Sequence, residues 1–345
     1  MANKRITITE LANELNTTPS TVSRALRGHE CISQEMRNKV QDLASKRNYT
    51  VNRLASSLRS GSSNTLGVIV PRVNRDFFAN CIAGIEELAS KAGFTTIISQ
   101  THDLEEEEEK SVFSLIESNV AGILISTGSD SSQSPAFNEA KRLGIPVIFF
   151  DRATKDNNQN KVVVDDKLGA YEGVKHLLEQ GYKRIVHFAG PLHISIYNDR
   201  KKGYLKALKE YNIPIDEDLI VESLLTKDMG YEAIFPFLEG PKKADALFSS
   251  SDYAALGAVI RIKEMGISIP AEMGIVGFSN EMFTNIIEPP MTTVDQHSKR
   301  IGNYAVQTCL EAIKDEKPVY KNIVISPTLI IRESSVKNTL RIIKN

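Results

Sequence analysis

Residues 7–27 read Thr-Ile-Thr-Glu-Leu-Ala-Asn-Glu-Leu-Asn-Thr-Thr-Pro-Ser-Thr-Val-Ser-Arg-Ala-Leu-Arg, and their spacing predicts two short helices joined by a tight turn. Thr7 is placed to cap the first helix, and Glu10, three residues on, completes a capping box. Ile8, Leu11, Ala12 and Leu15 then recur on one face at helical spacing. Leu15-Asn16-Thr17 makes the turn. Thr18 caps the second helix, with Pro19 at its first position, where a missing N–H costs nothing. Val22, Ala25 and Leu26 face inward, whereas Ser20, Thr21, Ser23 and Arg24 face outward. A short helix that offers hydroxyls and one arginine near its N-terminal end suits a DNA major groove. Hydroxyls bond phosphates or base edges, and a guanidinium can fork onto guanine O6 and N7. Thr18, Pro19, Ser20, Thr21, Ser23 and Arg24 are therefore the candidate major-groove residues, with Pro19, Ser20 and Arg24 the candidates for reading bases. Paired amphipathic helices also occur in proteins that never meet DNA, so a protein-docking head stands beside this reading.

Working outward, Ser33 opens a third helix whose buried stripe is Met36, Val40, Leu43 and Ala44. Lys39, Lys46 and Arg47 lie off that stripe, and as a set they could meet phosphates. Residues 1–60 hold ten Lys/Arg against five Asp/Glu, a net of +5, which leaves −6 for the remainder of a chain whose formal charge is −1. A basic head on an acidic body fits a nucleic-acid module attached to something that avoids DNA. Asn52 can cap a helix of about two turns ending at Gly61. So short a helix is marginal alone in water and is expected to fold when it docks.

Several of these segments together resemble the lactose-repressor (LacI) family of bacterial transcription regulators. The resemblance rests on Ser20-Thr21-Val22-Ser23-Arg24-Ala25-Leu26, on Ile32-Ser33, and on Asn48-Tyr49 with Asn52-Arg53-Leu54-Ala55. It continues through Leu58-Arg59-Ser60-Gly61 and Leu66-Gly67-Val68-Ile69-Val70-Pro71 to near residue 335, and departs at Val51, where the family usually has Pro. It implies a homodimer on a near-palindromic, double-stranded operator. It also implies hinge helices that pair across the dimer and push a leucine into the minor groove. Leu58 matches that leucine, with Asn52 and Ala55 on the same short helix. An apolar wedge of this kind unstacks a base step at a cost of a few kcal/mol, offset by added contact.

From residue 65 the pattern alternates strand and helix, which argues for parallel sheets covered by helices. Strands are expected near 66–71, 95–100, 121–127 and 146–151. The pattern begins again at 161–164 and runs on through 184–190, 219–222, 246–250 and 274–278. The run Glu105 to Glu109 opens a helix, where its dipole favours acids, so it reads as a solvated face. The expected fold is a small all-α helix-turn-helix head over 1–50, a hinge helix and linker over 51–64, and an α/β body of two parallel-sheet lobes over 65–345. The resemblance makes that body periplasmic-binding-protein-like, with lobe one near 65–160 and 295–322 and lobe two near 161–292 and 323–335. It also implies that residues 291–296 cross back to the first lobe.

Ligands of such sheets sit outside the carboxyl ends of the strands. Those ends here carry hydroxyls, amides, carboxylates, arginines and two adjacent rings, which suits a polyhydroxylated ligand. The candidate effector residues are Phe77, Phe78, Ser126, Asp151, Arg200, Ser251, Asp252, Ser279 and Gln296. By resemblance Asp151 and Arg200 match effector positions and Phe77-Phe78 an aromatic pair at the cleft mouth. Ser251 stands where sugar-responsive members often have Asn, and Ser279 where many have Asp. The expected effector is a sugar or sugar derivative, with a purine-like corepressor or a partner protein as the alternatives.

Nothing in the sequence calls for catalysis, a cofactor or a metal. It has no phosphate loop, no nucleophile elbow and no His-Glu-x-x-His. The histidines are scattered, although His193 could reach the cleft. Asp165-Asp166, read as adjacent strand residues, point to opposite faces and make no carboxylate pair. Cys31, Cys81 and Cys309 are too widely spaced for a disulfide framework or a zinc site. No apolar run reaches the length of a membrane span, and the first residues lack the apolar core of a signal peptide. The expected compartment is the cytoplasm.

Overall fold

The computed structural model describes residues 6–49, 63–128, 134–154, 156, 158–315 and 319–337, and the chain forms two units, Met1–Ser63 and Asn64–Asn345. In the first, Thr7 caps α1 (Ile8–Glu14) through a full capping box with Glu10. Thr18 caps α2 (Pro19–Leu26) by accepting the Thr21 N–H, and Ser33 caps α3 (Gln34–Lys46). The apolar faces of the three helices meet in one small core of Leu11, Ala12, Val22, Ala25, Val40 and Ala44. Asn52, Ala55 and Leu58, with the expected hinge helix, lie outside the described residues.

The second unit holds two six-stranded sheets. The first contains β1 (Thr65–Val70), β2 (Thr95–Gln100), β3 (Gly122–Ile125), β4 (Val147–Phe150), β5 (Asn160–Val164) and β11 (Asn322–Ile325). Their order is β11-β5-β4-β3-β1-β2, and every pairing is parallel. The second contains β6 (Ile185–Phe188), β7 (Ile220–Val221), β8 (Ala246–Ser249), β9 (Gly274–Phe278), β10 (Thr292–Asp295) and β12 (Thr328–Ile330). Their order is β12-β10-β9-β8-β6-β7, and only the β10–β12 pairing is antiparallel.

Helices cover both faces of each sheet. On one face of the first sheet lie α4 (Asp76–Lys91) and α11 (Ser298–Lys314), and on the other α5 (Glu105–Glu117) and α6 (Pro135–Arg142). The second sheet lies between α7 (Asp166–Glu179) with α8 (Ser195–Glu210) and α9 (Lys227–Ala233) with α10 (Asp252–Glu264). Helices α4 and α11 cross closely enough that a Cβ on Gly302 would stand 2.2 Å from the Cys81 carbonyl oxygen. Any side chain there would push the helices apart. Among the described residues no helix is long and apolar enough to cross a membrane.

Three boundaries differ from the sequence reading. Strand β5, assigned there to the second lobe, pairs with β4 and β11 in the first sheet. The chain crosses back after β10, which pairs with β9 in the second sheet, and not within residues 291–296. β11 belongs to the first sheet and only β12 returns to the second. In each case a short apolar strand could have served either sheet, and its partner lies far away in sequence. Helix α9 ends at Ala233, because Pro236 cannot continue an α-helix, and the chain turns into a 3-10 segment at Phe235–Phe237.

Candidate functional site

In the head, α2 carries its polar side chains at its N-terminal end. The Thr18 hydroxyl lies 2.8 Å from the Ser20 hydroxyl and 3.0 Å from that of Thr21. Each hydroxyl both donates and accepts, so this small network keeps bonding capacity for a partner. Thr18, Ser20 and Arg24 are exposed, and Pro19 and Thr21 are half-buried. Ser23 corrects the sequence reading: it is buried, and its Oγ accepts a hydrogen bond from Arg27 Nη2 at 2.8 Å. One turn on, the long Arg27 side chain folds back over it, which residue spacing alone does not reveal. Of the cations flanking α3, Lys39 pairs with Glu35 at 2.7 Å and Arg47 with Glu14 at 2.9 Å.

In the body, the carboxyl ends of β1, β3, β4, β6, β8, β9 and β10 converge on one cleft of about 330 Å³. In both sheets the strand order reverses there, between β1 and β3 and between β6 and β8, which is where open α/β sheets leave a crevice. Phe77, Phe78, Asp151, Arg200, Ser251, Ser279 and Gln296 line it. The backbone is forced at several of these points. Asp151 has φ +62, Ser279 +128, Asn280 +53 and His297 +56, left-handed conformations that ordinary residues adopt only where the surroundings impose them.

Two predicted residues stand behind the lining. Ser126 is buried and donates to Asp151 Oδ2 at 3.0 Å. Asp252 is fully buried; it accepts the Thr293 hydroxyl at 2.7 Å and the Glu281 N–H at 2.9 Å. Asp252 therefore ties the loop after β9 to β10 and has no free face for a ligand. The Asp165-Asp166 reading also changes. Asp165 caps α7 by accepting the Leu168 N–H, and Asp166 lies in that helix's first turn with its carboxylate on Arg200.

The cleft's charges are nearly all paired. Arg200, 3% exposed, donates to Asp166 from Nε at 2.8 Å and from Nη2 at 2.7 Å, and to the Ser250 carbonyl at 2.7 Å. Its guanidinium carbon stands 3.7 Å above the Phe278 ring. Arg152 Nη1 donates to Asp103 at 2.6 Å, and Arg72 reaches the other oxygen of the same carboxylate at 3.3 Å. Burial pushes the Asp151 carboxyl above its ordinary value, against the opposing pull of Arg152 and Arg200. Burial also raises Asp166 to about 6 despite Arg200.

What remains open is informative. Among the described residues Asp151 Oδ1 receives no hydrogen bond, and the buried Arg152 Nε, 3.9 Å from Asp151 Oδ2, and Ser250 Oγ at the cleft wall make none. Around these groups Phe77 and Phe78 meet edge to face at 5.0 Å. Tyr197, Leu224, Leu225 and Tyr253 add further apolar surface. The site can therefore exchange hydrogen bonds with a few hydroxyls and pack an apolar face, while Arg75 in the same lining stacks over the Tyr253 ring. Asp103, Tyr197, Leu224, Leu225, Tyr253 and Glu281 were not named from sequence. They enter from loops and helix starts and not from strand ends, apart from Asp103, which follows the end of β2. His193 does line the cleft. His187 does not: it is buried between Tyr204 and Phe248, and burial lowers it to about 3.

A helix-turn-helix head with a two-lobed binding body defines the class of ligand-responsive, DNA-binding transcription regulators. Residues 7–52 match "Bacterial regulatory proteins, lacI family" and residues 174–335 match "Periplasmic binding protein-like domain". The ribose operon repressor of Haemophilus influenzae is 30% identical over 328 residues, covering 95% of this chain and 98% of that protein. The HTH-type transcriptional repressor PurR of Actinobacillus pleuropneumoniae is 28% identical over 331 residues, with coverages of 95% and 98%. The crystal structure of the lac repressor dimer bound to operator and the anti-inducer ONPF superposes with a TM-score of 0.87 at 25% identity, covering 96% of this chain and all of that one. The chain belongs to the LacI family of bacterial regulatory proteins.

Proposed function

We propose that the protein is a homodimeric repressor that binds a near-palindromic operator and responds to a neutral sugar in its interlobe cleft. Thr18, Pro19, Ser20, Thr21 and Arg24 face the major groove, with Arg24 reading a base. Ser23 supports this helix from behind by fixing Arg27. Asn52, Ala55 and Leu58 serve the minor groove at the operator centre. The sugar meets Phe77, Phe78, Asp151, Arg200, Ser251, Ser279 and Gln296 directly, while Ser126 and Asp252 hold the wall. Effector binding alters how the lobes sit and, through the linker, how tightly operator is held. Coupling of this kind is reciprocal.

The observation that carries the choice of effector is the pairing of Arg200 with Asp166, and of Arg72 and Arg152 with Asp103. With those guanidiniums tied to carboxylates and Arg75 stacked over the Tyr253 ring, the groups left open are Asp151 Oδ1, the remaining Arg152 Nε–H and the Ser250 hydroxyl, a set that adjacent sugar hydroxyls would fill. A cleft of about 330 Å³ lies at the small end of ligand pockets, which run to about 1,000 Å³. That favours one sugar ring. One relative is named as a ribose operon repressor, and a cleft whose buried guanidiniums are held by carboxylates favours the sugar. The protein acts by binding, without catalysis, in the compartment that holds the chromosome.

The test is operator release. Neutral pentoses and hexoses, their phosphates and purines are added to the full-length protein on a DNA site selected from a random library. A neutral sugar that lowers operator affinity in the wild type but not in Asp151→Asn supports the reading. A purine that raises operator affinity replaces it with a corepressor.

A further inference from the structure

Helix α4 begins without a side-chain cap of its own. Arg75 stands at its N-cap position and makes no capping bond. The missing cap comes from the other lobe. Glu281, in the loop after β9, accepts the Asp76 main-chain N–H on Oε2 at 3.1 Å and also receives a backbone bond from Phe77. The contact is returned: the Met282 N–H donates to Asp76 Oδ2 at 3.1 Å. Two acids, one from each lobe, thus grip main chain across the cleft wall, Glu281 at Asp76 and Asp76 at Met282. Glu281 is 4% exposed, and so is nearly dry.

We propose that Asp76 and Glu281 form a proton-sensitive clasp between the lobes, which holds them together while the Glu281 carboxyl carries a proton and releases them when it ionises. This inference goes beyond the sugar reading but rests on it for its consequence, a pH-dependent effector site.

The groups that face Glu281 decide the sign. The N–H bonds from α4 favour its anion, as a helix N-terminus does. Against them stand burial, the Asp76 carboxylate in front and the Asp252 carboxylate behind, which takes the Glu281 N–H. Arg75 lies 3.7 Å over the Tyr253 ring, which itself borders Glu281. Arg332 is engaged by Asn280, Thr284 and the Met291 carbonyl, and Asp295 by Asn280. Among the described residues, then, no cation is hydrogen-bonded to Glu281. Burial first, and then Asp76 and Asp252, raise it from 4.5 to about 7. In separated lobes the same carboxyl meets water and keeps its ordinary value. Joining is therefore favoured in full below 4.5, and that favour is lost as the pH rises through about 7. Between pH 8 and pH 6 the ratio of joined to separated lobes should rise about tenfold.

The test uses the full-length protein without effector or DNA, with Cys31→Ser and spin labels at Lys91→Cys and Asp228→Cys, one on each lobe. Pulsed electron resonance reads the interlobe distance from pH 6 to pH 8.5. The wild type should shift towards the short distance about tenfold on acidification. Glu281→Gln, which keeps an acceptor for α4 and cannot ionise, should stay short throughout. Asp76→Asn should move the midpoint to lower pH. A wild-type distribution that does not change with pH, or a Glu281→Gln protein that still titrates, overturns the clasp. Either failure leaves the operator reading untouched, because that reading is scored by DNA release.

Discussion

Arg200 and Asp166 meet through two guanidinium nitrogens on one carboxylate oxygen, at 2.8 and 2.7 Å, with both side chains at most 5% exposed. The pair holds the Arg200 guanidinium 3.7 Å over the buried Phe278 ring, so the residue that would touch an effector is also part of the lobe's interior. Arg200→Ala should therefore do two things. It should abolish the effector response, and it should destabilise the body by about 3 kcal/mol, because Asp166 is left buried without its partner. Urea unfolding of the body and operator release read the two effects separately. Asp166→Asn should weaken the effector response less than Arg200→Ala does.

Asp252 makes the opposite case. It was read from sequence as an effector ligand, yet both of its oxygens are taken, by Thr293 and the Glu281 N–H. Asp252→Ala strands two buried donors and should cost about 2 kcal/mol. Denaturant unfolding checks this. A stability unchanged within about 0.5 kcal/mol would mean that the loop finds other partners.

In the head, Arg24 and Ser23 are neighbours with different fates. Arg24→Ala should cost about 1–3 kcal/mol of operator affinity and relax preference at one base pair. If all sequences weaken alike, Arg24 only grips phosphate. Ser23→Ala should leave base preference intact and cost the head about 1 kcal/mol through the lost Arg27 contact. Base-pair scanning of a selected site separates the two.

The capping box at Thr7 and Glu10 gives a control on local structure. Thr7→Ala removes the acceptor for the Glu10 N–H and should cost the head about 1 kcal/mol. Thermal unfolding followed by helical circular dichroism reads it.

What could be read from the sequence divides by distance along the chain. Thr7, Thr18, Pro19 and Ser33 state their roles within three residues, and the helices begin where these residues put them. Strand positions were equally legible, because apolar runs and turn residues are local. Lobe membership was not: nothing in residues 160–164 says that β11, some 160 residues away, is the partner. The cleft shows the same limit. Asp151 and Arg200 could be named because they resemble family positions, and the strand ends because parallel sheets present them. Asp103, Tyr197 and Tyr253 come from loops and helix starts whose reach only the packed lobes define. Glu281 looks like an ordinary surface acid, and its burial is visible only once the Asp76 backbone stands opposite.

The central claim is sequence-specific binding of duplex DNA by the head of a dimer. The measurement that meets it most directly is selection from a random duplex library with the full-length protein, followed by titration of the enriched site at several salt concentrations. The account predicts an enriched motif of two inverted half-sites, affinity that falls steeply with salt, and loss of one preferred base pair per half-site in Arg24→Ala. No enriched motif, or binding indifferent to salt, would contradict it and leave the head as a protein-docking module.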